Sequence, residues 1–92
     1  MEIEYTLQAR KDLEFWKKTN NVAVLKKIRM LVEAIMQSPY EGIGKPEALK
    51  YKLSGCWSRR INKNHRIVYE VFERKLSYSR LKTIIFKFVL NF

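Results

Sequence analysis

Between residues 44 and 71 the chain reads GKPEALKYKLSGCWSRRINKNHRIVYEV, and the polar residues of that run are the types that cleavage of a phosphodiester needs. One carboxylate, Glu47, lies in a short turn, with Lys45, Lys50 and Lys52 around it in sequence. Arg59, Arg60 and Arg66 follow among strand-forming apolar residues. RNA is cut without a metal when a base removes the 2′-hydroxyl proton, cations stabilise the charge that gathers at phosphorus, and an acid protonates the leaving 5′-oxygen. Glu47 is the candidate base. Lys50, Arg60 and Arg66 are candidate cations, arginine being the residue that holds two phosphate oxygens in a fork. Lys45, Lys52 and Arg59 extend the basic set as candidate RNA-binding residues.

Other reactive residue types in the run point less directly to chemistry. His65 is the sole histidine, a residue type whose charge can change near neutral pH. Strand alternation sends His65 and Arg66 to opposite faces of a sheet, so a substrate-facing Arg66 makes His65 a turn or packing residue. Cys56, the sole cysteine, leaves no disulfide framework and no zinc-ligand set, suits a reducing cytosol, and is expected to pack as a small apolar residue. Trp16 and Trp57 read as core or interface residues, whereas Tyr51 and Tyr78 would stack on RNA bases if exposed. The run GIGK at residues 42–45 lacks P-loop spacing and precedes no helix. ATP binding is therefore not supported, and neither a cofactor nor a metal is expected.

The elements that must position these residues belong to one small domain. Ninety-two residues leave no room for a second core, and 47% hydrophobic with 30% charged residues is a globular composition. Nineteen Lys and Arg against nine Asp and Glu leave a net charge of +10. Self-repulsion of that size costs stability, and a compact protein that tolerates it usually has a polyanionic partner, nucleic acid first and an acidic protein second. No basic and apolar leader opens the chain, and the apolar stretch at residues 84–90 is interrupted by Lys87 and too short to cross a bilayer. A cytoplasmic protein without a membrane partner is the expectation.

Residues 1–5 alternate apolar and acidic side chains, the period of a half-buried strand. Thr6 then caps a helix over residues 7–18, with Ala9, Leu13 and Trp16 on one face. Residues 19–21 form a turn, and Val24, Leu25, Ile28, Leu31, Val32 and Ile35 repeat at helical spacing up to Ser38-Pro39, which stops the second helix. Strands are expected at residues 48–53, 57–62, 66–72 and 76–88, with turns at 54–55, 63–64 and 73–75. The order implies an α+β fold of β-α-α-β-β-β type, a twisted, mainly antiparallel sheet with the helical hairpin on one face and the other free to bind.

Three blocks then stand out: P-Y-E-G-I-G-K-P-E-A-L-K at residues 39–50, L-S-G-C-W-S-R-R-I at 53–61 and H-R-I-V-Y at 65–69. In order and spacing they resemble the YoeB (Txe) branch of the RelE superfamily, the small toxins of bacterial type II toxin–antitoxin pairs. The resemblance covers about four fifths of the chain. It implies a RelE-like fold and a ribosome-dependent endoribonuclease that cuts mRNA in the ribosomal A site. Glu47 would be the general base, Arg66 the phosphate-stabilising arginine and Lys50 a basic neighbour. The partners it implies are a YefM-like antitoxin, the ribosome, a possible second copy of the toxin, which an exposed Phe15 or Trp16 would fit, and operator DNA reached only through the antitoxin.

Residues 81–92 depart from that pattern. Family members end on a Cys-Arg-Tyr-His-Tyr block whose histidine is the general acid, whereas this chain runs LKTIIFKFVLNF and has no histidine after His65. If Lys87, Phe88 and Val89 fill the Arg-Tyr-His positions, Val89 stands where the acid would be and cannot donate a proton. The sequence thus carries three readings: an active mRNA endoribonuclease, a catalytically impaired homologue that still binds antitoxin, and a basic RNA-binding protein with no toxin role.

Overall fold

A computed structural model describes residues 2–89. Strand β1, Glu2–Tyr5, ends at Thr6, whose hydroxyl accepts the Ala9 N–H at 3.1 Å and starts helix α1, Leu7–Lys18. Such a cap satisfies an amide that the first helical turn leaves without a backbone partner. Asn21 repeats the device for helix α2, Val22–Gln37, by accepting from the Val24 N–H. The helix stops where Ser38-Pro39 denies it a continuing backbone. Val24, Ile28, Leu31 and Ile35 of α2 and Ala9 and Trp16 of α1 are buried, so the stripes predicted from spacing face the core.

After the helices come β2 (Glu47–Ala48), a 3₁₀ turn (Tyr51–Leu53), β3 (Cys56–Arg60), β4 (Arg66–Lys75) and β5 (Arg80–Phe88). Two expectations need correction. Residues 48–53 do not form one strand, because the strand register with β3 covers only Glu47 and Ala48, and after one more bond, from the Leu49 N–H to the Cys56 carbonyl, the chain coils into the 3₁₀ turn. Residues 73–75 are strand rather than turn; the reversal lies at Leu76–Ser79, where the Leu76 N–H donates to the Ser79 carbonyl.

The sheet order is β1-β5-β4-β3-β2, with β1 parallel to β5 and the remaining pairs antiparallel. Both helices cover the face that carries Ile67, Tyr69, Ile84 and Phe86. The opposite face carries the even-numbered residues of β3 and β4, including Ser58 and Arg66.

The register of β5 breaks at one point. Tyr69 pairs with Phe86 but Val68 pairs with Phe88, so Lys87 is an extra residue in a β-bulge. A one-residue offset inverts the faces beyond it. Lys87 reaches Glu70 on the face away from the helices, Phe88 shares that face through its pairing with Val68, and Val89 turns into the core, fully buried. Two side chains of α1 hold Val89 there: Asp12 accepts its N–H at 2.9 Å, and the Trp16 indole donates to its carbonyl at 3.1 Å. Trp16 is therefore a core residue and offers no dimer surface, while Phe15 is exposed.

Gly44 shows how tightly the loop before β2 is seated. At φ 83°, a Cβ there would lie 2.7 Å from Leu31 Cδ2 and 3.2 Å from the Arg60 carbonyl. Gly55 has φ 93° but its Cβ would meet only Glu70 Oε2, at 3.7 Å. Gly44→Ala is expected to cost about 1–3 kcal/mol, more than Gly55→Ala, which adds backbone strain without the clash. Thermal melts of the two variants check this; equal losses would show that packing against Leu31 contributes nothing.

Candidate active site

Antiparallel pairing of β2, β3 and β4 brings the carboxylate and the arginine together. Glu47 lies opposite Ser58, and Arg60 opposite Arg66 one step further along the same face. Arg66 Nη1 stands 2.9 Å from Glu47 Oε2 and 3.3 Å from Ser58 Oγ. The side chains of the pair are 27% and 61% exposed, so solvent screens their attraction and the pair contributes only about 0–1 kcal/mol to stability. A weakly held carboxylate–guanidinium pair in contact with solvent can exchange partners, which suits binding an anion.

Lys45, Lys50, Lys52 and Arg60 are exposed on the loop, the 3₁₀ turn and β3. Arg59 requires correction. It is fully buried, and its guanidinium donates from Nε to Tyr69 Oη at 3.3 Å, to the carbonyls of Ile43 at 3.1 Å and Glu41 at 2.8 Å, and to that of Ser38. None of its charge is offered to RNA. Alternation already held the signal, since adjacent strand residues face opposite sides and only one of Arg59 and Arg60 could point at a substrate. Arg59 instead fixes the loop that delivers Glu47, and Gly42 allows the approach: a Cβ there would lie 3.1 Å from Arg59 Nη1. Burial pushes the Tyr69 hydroxyl above its usual range, partly offset by Arg59.

His65 is a packing residue. Its ring meets Trp16 edge to face at 4.8 Å, and Nδ1 lies 3.0 Å from Asn62 Oδ1. Trp57 is half-buried and packs on Tyr40. Two steps along β3 from Ser58, Cys56 is buried with Sγ 3.7 Å from Glu70 Oε1, which in turn pairs with Lys87 at 3.2 Å. Burial first, and then Glu70, push the thiol above its usual range, while Lys87 lowers it. That thiol is a poor nucleophile and packs as expected. Asp12 escaped the sequence reading: its position on the buried stripe of α1 was the available signal, but its partner lies 77 residues away.

A small, strongly basic α+β domain with a carboxylate–arginine pair on the sheet face away from its helices defines the class. The model of the YoeB-like toxins of bacterial type II toxin–antitoxin systems matches residues 5–83, and the chain belongs to that family. A Synechocystis protein named toxin YoeB is 52% identical over 61 residues, 66% of this chain and 71% of that protein. Among solved structures, a YoeB/ParE toxin from Agrobacterium tumefaciens superposes with a TM-score of 0.86 at 33% identity, covering 100% of this chain and 99% of the other. The toxin in a heterotetrameric YoeB–YefM complex from Staphylococcus aureus gives 0.80 at 34% identity, covering 100% and 95%. That organism's YoeB dimer gives 0.77 at 33%, with the same coverage. The family match stops before the bulge in β5, and residues 90–92 of the divergent segment lie outside the described residues.

Proposed function

We propose that this chain is the toxin of a type II pair and an mRNA endonuclease that acts in the ribosomal A site, with Glu47 as general base and Arg66 as the phosphate holder. The observation that carries this reading is the 2.9 Å contact between the two on an accessible face. An incoming phosphate takes Arg66 from the carboxylate by offering it two oxygens in a fork. Glu47, released, accepts the 2′-hydroxyl proton as the 2′-oxygen bonds to phosphorus. The bond to the 5′-oxygen then breaks, leaving a 2′,3′-cyclic phosphate, and the 5′-oxygen takes a proton from water where no side chain supplies one. Lys45, Lys50, Lys52 and Arg60 supply phosphate contacts for mRNA and ribosomal RNA, whose affinity is largely electrostatic.

The test is a purified translation reaction in which mRNA 3′ ends are mapped with and without ribosomes. Cleavage confined to the A-site codon and dependent on ribosomes is expected; long incubation that yields no such product overturns the nuclease reading. A second reading, an antitoxin-binding homologue with little activity, is favoured by the burial of Val89 where an acid is expected. A YefM-like antitoxin, and through it operator DNA, would engage either form, as would a second copy of the toxin. Copurification with a YefM-like protein at low salt is expected whatever the cleavage rate, and its failure would count against both toxin readings.

A further inference from the structure

We infer that Tyr51 is a stacking platform for an unpaired base of single-stranded RNA, beside the Glu47–Arg66 pair; the choice of RNA rests on the function proposed above. Tyr51 opens the 3₁₀ turn between β2 and β3 with φ 58°, in the left-handed region that a bulky side chain rarely adopts. Asn20 at φ 57° and Lys45 at φ 50° share that region; asparagine tolerates it, and Lys45 lies in the tight loop between Gly44 and Pro46. Glycine would fit the position of Tyr51 without strain. The fold hardly covers the ring in return: it is 92% exposed, and no side-chain hydrogen bond or ring contact of Tyr51 is seen among the described residues.

The turn is nevertheless well fixed. Leu53 N–H donates to the Lys50 carbonyl, Ser54 N–H to that of Tyr51, and Leu49 N–H to that of Cys56 across the hairpin. A strained backbone in a pinned turn, carrying a bare aromatic face, matches what a stacking site requires. Lys50 and Lys52, both exposed, precede and follow Tyr51 in the chain and supply charge for the phosphates on either side of a stacked base. Only three residues separate Tyr51 from Glu47, so their Cα atoms lie within about 14 Å of each other, a distance that a short single strand covers.

The experiment measures anisotropy of a labelled, uncleavable 2′-O-methyl oligoadenosine and of an abasic strand of equal length, at low salt, with the full chain. Tyr51→Ala is expected to bind the oligoadenosine about tenfold more weakly, Tyr51→Phe to bind it as the parent does, and all three to bind the abasic strand equally. The salt slope should not change, because no phosphate contact is lost. Equal binding of the oligoadenosine by parent and Tyr51→Ala, with loss on Lys50→Ala, overturns the stacking role alone. No binding of either strand by the parent overturns the RNA reading with it. Tyr51→Gly should keep or raise Tm, and a fall beyond about 4 °C would make the ring a structural element and overturn the proposal.

Discussion

Arg59→Met is expected to lose about 3–5 kcal/mol of folding stability, because three carbonyls lose a charged donor at about 1–3 kcal/mol for each group left unsatisfied. Methionine roughly matches the length of the arginine stem, but it leaves the carbonyls of Ser38, Glu41 and Ile43 without the donors that now satisfy them. Tyr69 keeps only its bond to the Pro39 carbonyl. Small domains have roughly 5–15 kcal/mol in all, so the variant should be partly unfolded at growth temperature. Arg59→Lys should also lose stability, because an ammonium cannot reproduce a planar fork aimed at three carbonyls. Arg60→Met, one residue on and exposed, should stay within about 0.5 kcal/mol of the parent. Urea unfolding separates them, and an Arg59→Met loss no larger than that of Arg60→Met would show that the buried guanidinium does not organise the loop before Glu47.

The contrast between Arg59 and Arg60 shows where the sequence was legible. Helical spacing located the buried stripe of α2, and Thr6, the turn at residues 19–21 and Ser38-Pro39 marked helix ends, because those signals are local. The placing of Glu47 and Arg66 on one face was legible too, since neighbouring strands pair and alternate, but the direct contact between them was not. The fate of Arg59 was not, because it depends on a loop from the end of α2 folding over β3 and turning its carbonyls inward. The parallel pairing of β1 with β5 joins the two ends of the chain, and no local pattern encodes it. The bulge at Lys87 is likewise silent in a run of alternating and apolar residues such as TIIFKFV, which fits a strand in either register.

That bulge decides where an acid could be restored. Regular alternation would have placed Val89 on the face of Arg66 and made Val89→His the natural repair; the structure places it in the core, clamped by Asp12 and Trp16. Val89→His should therefore gain no cleavage and lose about 1–3 kcal/mol by burying an imidazole. Phe88 pairs with Val68, two residues along β4 from Arg66 and on its face. Phe88→His is expected to raise A-site cleavage toward the roughly 10²–10⁴-fold that general acid catalysis supplies, with an optimum near neutral pH as the imidazolium donates to the 5′-oxygen and is lost on the alkaline side. Adding Glu47→Gln should abolish the gain if, as proposed, the acid finishes a step that the Glu47 carboxylate begins. The measurement is the single-turnover cleavage rate of programmed ribosomes against pH. Acceleration by Val89→His and none by Phe88→His would mean that β5 keeps regular register when the protein is at work, and would remove the bulge from the account of where an acid can be placed.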